Sequence, residues 1–384
     1  MKTLRAQTAG GMPKLLSAIN GISILTSIGA VVAALATTVL LLLATGSNPI
    51  DAINAIAQGS ISSPYAISSS IEKAVPRLLA ALGIALALRA GLYNIGAEGQ
   101  IYIGGIAAAY VAVISGLTGP GALILALIAA FAAGAFWGAI PGVLRVKRGV
   151  SEVITSLMLV YIAIRLTNYI LEEHWIVAGS TYPATDIVPP STALPIIWQD
   201  TVLNLGAIIA VACVPLMAFL MRRTTFGLRL SAIGGNVRAA AASGTNVGRN
   251  MVYAMAFSGG LAGLAGAMEV VGVRGQLLEG FSNNYGFDAI AIALLGRLNP
   301  YGILAAALLF GALDAGGTGL QATGGADLPA GIVPTVLGFA MIYVLIGLGA
   351  SRVLASRRRA RTLLDQADNS PGPSDDPAPQ KVAA

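Results

Sequence analysis

"ILTSIGAVVAALATTVLLLLA", residues Ile24 to Ala44, runs for a full bilayer's width without a charged side chain. At about 1.5 Å of rise per residue, a helix of this length spans about 30 Å, the thickness of the hydrocarbon core. A membrane β-strand would instead alternate apolar and polar residues over about ten positions. The run starts too far in, and is too long, for a cleaved secretion signal, so it is expected to remain as a first membrane helix. Further apolar runs fall near residues 75–90, 98–115, 121–144, 150–171, 202–221, 250–271, 286–296, 301–313 and 331–350. Together they make about ten membrane segments, with 286–296 too short to cross alone. The composition agrees: 56% of the 384 residues are hydrophobic and 10% charged, against about 25% charged in a soluble domain, and the mean hydropathy is +0.78. The expected fold class is all-α, a polytopic integral membrane protein.

The basic residues set the orientation. Lys2, Arg5 and Lys14 precede the first run, and Arg145, Lys147 and Arg148 follow the fourth. Arg222, Arg223, Arg229, Arg238 and Arg249 fill or border the loop after the sixth, which has no acidic residue; Arg352, Arg357, Arg358, Arg359 and Arg361 follow the last. With ten alternating segments all of these share one side. The intervening loop 172–200 holds Glu172, Glu173, Asp186 and Asp200 and no Lys or Arg. Basic loops stay cytoplasmic, so both termini are expected in the cytoplasm of a cell-membrane protein. The net charge of +6 reads the same way, and no nucleic acid is expected as a partner. The chain divides into a cytoplasmic N-terminus (1–21), a transmembrane domain (22–350) with a cytoplasmic loop at 222–249, and a basic, then Pro- and Asp-rich disordered tail (351–384). In the outer loop 44–74, Pro49 to Gln58 reads as an interfacial helix.

One polar stretch interrupts this pattern. "YNIGAEGQIYIGG", Tyr93 to Gly105, places Asn94, Glu98, Gln100 and four glycines between apolar runs. Non-helical backbone at membrane depth is tolerated only where protein or a water-filled cavity surrounds it. The motif Asn94-x-Gly96-x-Glu98 returns as Asn284-x-Gly286-x-Asp288. In a ten-segment count the two open segments 3 and 8, which run in opposite directions. That is the signature of an inverted repeat with broken or short helices and a central site. Asn94 and Asn284 are read as helix caps, and Glu98 and Asp288 as first-turn carboxylates that either border the pathway or satisfy backbone or an arginine such as Arg89 or Arg297.

The loop sequence "GGNVRAAAASG", Gly234 to Gly244, predicts a short helix with Asn236 as N-cap and Gly244 as C-cap. A helix so short is unstable alone, so it rests on headgroups or docks into a protein. No phosphate loop of the Gly-x-x-x-x-Gly-Lys-Ser/Thr type occurs, no His/Cys cluster suggests a metal, and no nucleophile has a credible base. His174, the only histidine, is expected at the outer surface, and Cys213 in packing. An enzyme is not expected, nor a cofactor.

"GLYNIGAEGQIYIGG", "WGAIPGVLRVKRGVSEVITSLMLVYIA", "TTFGLRLSAIGGNVRAAAASG", "SGGLAGLAGAMEVVG" and "FSNNYGFDAIAIALLGRLNPYGILAAALLFGAL" together resemble the permease subunits of ABC importers in the branched-chain amino acid, ribose and nucleoside superfamily, nucleoside (simple sugar) permeases above all. The resemblance covers roughly residues 15–350. It implies a pore of two related permeases, a heterodimer in nucleoside systems, a cytoplasmic ATP-binding subunit and an external substrate-binding lipoprotein. It places the pathway at Tyr93, Asn94, Glu98, Gln100, Phe281, Asn283, Asn284, Tyr285 and Asp288, with aromatics stacking a nucleobase and amides bonding its edge or the ribose. It places ATPase coupling at Gly235, Asn236, Arg238, Ala239, Ala240, Ser243 and Gly244. The alternative is a secondary transporter of a small polar solute, in which Glu98 or Asp288 would bind the coupling ion.

Overall fold

The computed structural model describes residues 49–177 and 182–322 continuously, with scattered positions between 29 and 43 and between 335 and 346. The expected segments 22–44 and 331–350 therefore fall largely outside the described residues, and the N-terminus and tail wholly so. Residues 39–337 form one compact unit, and residues 1–38 with 338–384 another. In the second, the hydroxyls of Thr37 and Tyr343 share a hydrogen bond of 2.7 Å.

The first unit is helical: among its described residues there are eleven α-helices and no strand. Six helical segments are long and apolar enough to cross a membrane: Ala97–Ile114, Pro120–Arg148, Glu152–Trp175, Leu205–Arg223, Val247–Arg274 and Pro300–Thr318. Each coincides with an expected run. The count of about ten is not reached among the described residues. The run at 75–90 belongs to a longer helix, α2 (Pro64–Arg89), whose Glu72, Lys73 and Arg77 make it less apolar. The run at 286–296 is α10 (Tyr285–Leu295), about 16 Å long and too short to cross. The stretch Pro49 to Gln58 is helical, within α1 (Pro49–Ile61).

Packing centres on α9 (Val247–Ala267, "VGRNMVYAMAFSGGLAGLAGA"). Lipid tails are as apolar as leucine, so membrane helices associate through close contact, which small residues permit. A Cβ on Gly263 would fall on the carbonyl oxygen of Ala130, and one on Gly134 on that of Gly259. Gly134 lies on α4 (Pro120–Arg148). Similarly, a Cβ on Gly104 of α3 (Ala97–Ala109) would overlap Gly263, and one on Gly83 of α2 would stand 2.6 Å from the Ser258 carbonyl oxygen. The other half is built reciprocally: α11 (Pro300–Ala322) and α10 pack on α2, as α4 and α3 pack on α9.

The basic helix ends collect at one end of this unit. Arg89 Nη1 donates to the Met221 carbonyl at 3.1 Å, joining the end of α2 to that of α6 (Leu205–Arg223). Arg222 reaches Asn299 Oδ1 at 3.5 Å, and Val146 lies against Gly248. At the opposite end the 182–204 segment pairs with 275–279: Thr185 N donates to the Leu277 carbonyl at 2.9 Å and Val188 N to that of Gly275 at 2.7 Å.

Replacing Gly263 by Val is expected to destabilise the purified permease by about 1–3 kcal/mol through overpacking. Gly121→Ala, in open space on α4, is expected to cost nothing. Thermal unfolding in detergent reads both; equal midpoints for Gly263→Val and the parent would show that α4 and α9 are not in backbone contact.

Candidate functional site

The two echoing motifs meet in space. α3 begins at Ala97 and α10 at Tyr285, and Glu98 Oε2 accepts a 2.7 Å hydrogen bond from the Gly286 backbone N–H, both groups buried. The first N–H groups of a helix have no partner within it, and a carboxylate at that end also opposes the helix dipole favourably. Glu98 thus serves the start of α10 rather than its own helix. Only glycine fits at 286, because a Cβ there would fall on the Glu98 backbone nitrogen.

Neither Asn94 nor Asn284 caps a helix with its side chain, although Asn284 holds the N-cap position of α10. Gly96 occupies the cap position of α3 and makes no side-chain cap bond. Asn94 instead accepts from Gly96 N at 3.1 Å, donates to Gln100 Oε1 and Ser258 Oγ at 2.9 Å each, and accepts from Gln100 Nε2 at 3.1 Å. All three side chains are buried, so a polar knot replaces a local cap. Ser258 lies eleven residues along α9, about 17 Å from its basic end. Asn284 adopts a left-handed backbone, φ 62°, with its carbonyl accepting from Phe287 N and Asp288 N, and its side chain caps nothing.

The remaining predicted pathway residues divide by exposure. Tyr93 is 55% exposed in the link between α2 and α3, and Asn283 and Asn284 are exposed ahead of α10. Phe281 is fully buried, edge-to-face with Tyr102 at 4.9 Å between ring centroids. Tyr285 is buried beneath the Arg77 guanidinium, 4.4 Å from its ring centroid. Both rings are committed to packing, which leaves no free face for a nucleobase in this arrangement. Asp288 is bound neither to Arg89 nor to Arg297, but to Arg77.

Arg77 was not singled out by the sequence, yet it organises this region. Its Nε meets Asp288 Oδ2 at 2.9 Å and its Nη2 meets Asp314 Oδ2 at 2.8 Å. Its Nη1 donates to the Lys73 carbonyl at 2.8 Å, and Lys73 Nζ meets Asp314 Oδ1 at 3.2 Å. Two cations and two carboxylates on α2, α10 and α11 thus balance in formal charge. An ionisable residue in an otherwise apolar helix is the signal that marks such a group.

The basic end carries a second candidate surface. Thr224 caps α7 (Thr225–Gly235) through Gly227 N. Asn236 closes α7 and caps α8 (Val237–Ala242), its Oδ1 accepting from Ala239 N at 3.1 Å. Gly244 has φ 79°; its N–H bonds the Ala241 carbonyl and the Thr245 N–H that of Ala240, a paired closure. Both predicted caps are therefore present. Of Gly235, Asn236, Arg238, Ala239, Ala240, Ser243 and Gly244, only Ala240 is buried. Beside α8 lies a cavity of about 430 Å³ lined by Arg229, Ser243, Asn246, Arg249 and Tyr253 among others. His174 is exposed and stacks edge-on against Tyr169 at 5.5 Å. No group of three or more metal-binding side chains occurs among the described residues.

Residues 66–346 match the family described as branched-chain amino acid transport system / permease component. The guanosine ABC transporter permease protein NupP of Bacillus subtilis is 35% identical over 322 residues, 82% of this chain and 91% of the relative. The glucose ABC transporter permease protein TsgB13 of Haloferax volcanii is 34% identical over 330 residues, 82% and 85% of the two chains. The nucleoside ABC transporter permease protein NupB of Lactococcus lactis subsp. cremoris is 32% identical over 318 residues, 80% and 86%. No solved structure matches.

Because Glu98 acts as an acceptor, Glu98→Gln, which keeps an acceptor oxygen, should hold close to parental thermal stability. Glu98→Ala leaves a buried N–H unpaired and should lose about 1–3 kcal/mol. Equal loss in both variants would mean that the charge itself, not the bond to Gly286, matters.

Proposed function

The chain belongs to the permease-component family of branched-chain amino acid transport systems, the membrane permease subunits of ABC importers, and we propose that it forms half of a translocation pathway for nucleosides. A second, related permease supplies the other half. A cytoplasmic ATP-binding subunit provides the energy, and an external lipoprotein delivers the solute. The basic end faces the cytoplasm and the acidic 172–200 end faces outward, as the distribution of arginine favours.

The observation that carries coupling is α8. Six residues long, it is closed by Asn236 at one end and by Gly244 at the other, and it buries only Ala240. A helix this short has no stability of its own, and this one contributes little to the chain's core. It suits a rigid knob seated in a partner. ATP binding would close the ATPase and move α8. The motion would pass to α7, whose Gly234 packs so tightly on the Arg89 carbonyl at the end of α2 that no Cβ fits. α2 in turn carries Arg77 to the start of α10.

Solute would pass beside the two motif-bearing helix starts; the packing of α2 on α10 and α11, and of α9 on α3 and α4, supports reading the two halves as an inverted repeat. Tyr93, Asn283 and Asn284 offer accessible polar and aromatic groups there, while Asn94, Glu98 and Gln100 stiffen the wall. Guanosine, nucleosides and glucose, the solutes named for the relatives, all carry vicinal hydroxyls. Passage demands contacts loose enough for release, so selectivity would rest mainly in the lipoprotein. The ion-coupled alternative is not favoured, since Glu98 and Asp288 are held by Gly286 and Arg77.

Vesicles containing this permease, its partner permease and the ATPase, supplied with liganded lipoprotein, should take up nucleoside only with ATP and regardless of ion gradients. Uptake that survives ATP removal and stops when the gradient is dissipated would overturn the reading. In the same system Arg238→Glu is expected to reduce retention of the ATPase on the membrane at equal permease levels. Asn94→Leu is expected to slow uptake about 10–100-fold, the scale of a misplaced pathway wall, with assembly intact; parental rates would make Asn94 purely structural.

A further inference from the structure

Arg77 is 2% exposed, whereas its partners Asp288 and Asp314 are 20% and 18% exposed. The guanidinium therefore sits behind two carboxylates that reach toward an accessible face, beside the exposed Asn284. Its planar fork divides its donors: Nε serves α10, Nη2 serves α11 and Nη1 serves its own helix. Tyr285, the first residue of α10, stacks under the same guanidinium. α10 is thus gripped twice at its start, by Glu98 on Gly286 and by Arg77 on Tyr285 and Asp288. Its other end turns tightly: Arg297 and Leu298 both have positive φ, and Gly296 packs on Ile303. Nothing else along α10 is polar, since "AIAIALL" follows Asp288. The polar ties of this half-length helix are therefore gathered at its start, while its other end is held by backbone packing on Ile303.

We propose that Arg77 is the positioning residue of the pathway, a fork that fixes the start of α10 against α2 and α11 and so holds Asn283 and Asn284 at the solute's path. The proposal rests on the pathway reading given above. A buried charge cluster retained only for neutrality would tolerate any change that preserves its balance. A positioning fork would not, because an ammonium has no planar fork with which to hold two carboxylates on separate helices.

Two variants separate these roles; for labelling each is combined with Cys213→Ala and Asn283→Cys so that a single thiol reports on the start of α10, and for uptake each is made in the otherwise unchanged chain. Arg77→Lys keeps the charge and removes the fork. Arg77→Gln with Asp288→Asn keeps the balance and removes the tie to α10. Both are expected to insert and to retain the ATPase. In both, the introduced thiol should react several-fold faster with a membrane-impermeant maleimide, and nucleoside uptake should be about 10–100-fold slower. Parental labelling and uptake in the neutral double variant would overturn the proposal, as would parental behaviour of Arg77→Lys. If Arg77→Lys fails to insert, the double variant decides alone. Labelling is read on the permease without ATP or nucleoside, so it stands apart from the transport reading. A parent that shows no ATP-driven uptake but a labelling shift in both variants would sink the function and leave the fork.

Discussion

Hydrocarbon offers nothing to a broken helix. When a chain stops being helical inside a bilayer, the freed backbone N–H groups must find acceptors within the protein, or the break costs several kcal/mol per group. Here the break before α10 is answered by one carboxylate from a distant part of the chain, Glu98, which accepts from Gly286 N at 2.7 Å. That bond requires the starts of α3 and α10 to touch. The touch requires glycine at 286, because any side chain would collide with the Glu98 backbone. The rest of the bundle must then bring α3 and α10 together. The glycine seams of α9 with α4, α3 and α2 accomplish this at backbone contact.

The charges obey the same constraint. A lone buried guanidinium would be prohibitive in this setting, and removing one member of a buried pair leaves an uncompensated charge costing about 3–5 kcal/mol. Lys73, Arg77, Asp288 and Asp314 cancel, so the cluster is tolerable. Its value lies in geometry rather than in net stability, since a well-packed apolar replacement often does as well energetically. What an apolar replacement cannot supply is a directional tie among three helices. The α7–α8 surface meets α2 at its Arg89 end, and this tie lies at the middle of the same helix, about 18 Å away. A helix that is touched at Arg89 by α7 and that holds α10 at Arg77 is suited to act as a rod conveying partner motion inward.

Sequence reading and structure agree where the chemistry is local. The six spanning helices announce themselves by length and apolarity, and α10 by being too short. The caps of α8 were legible because Asn236 and Gly244 act on groups three to four residues away. The failures share a cause. Ser68 to Lys73 resemble an outer loop, yet they are helical, since Glu72 reaches Asn204 N at 2.6 Å and Lys73 reaches Asp314. Asn94 has the spacing of a cap, but Ser258, 164 residues away, offers a better-buried partner. Arg77 and Asp314 are separated by 237 residues, and no periodicity links them. Phe281 and Tyr285 look free in sequence because what covers them, Tyr102 and Arg77, comes from other helices.

The central claim is that the start of the short helix α10 meets the start of α3 and is satisfied there by Glu98. Backbone amide exchange at Gly286, followed in the reconstituted permease, tests it most directly. Strong protection in the parent, lost when Glu98 is changed to Ala and kept when it is changed to Gln, is the result the account requires. Rapid exchange in the parent, or protection indifferent to the residue at 98, would contradict it.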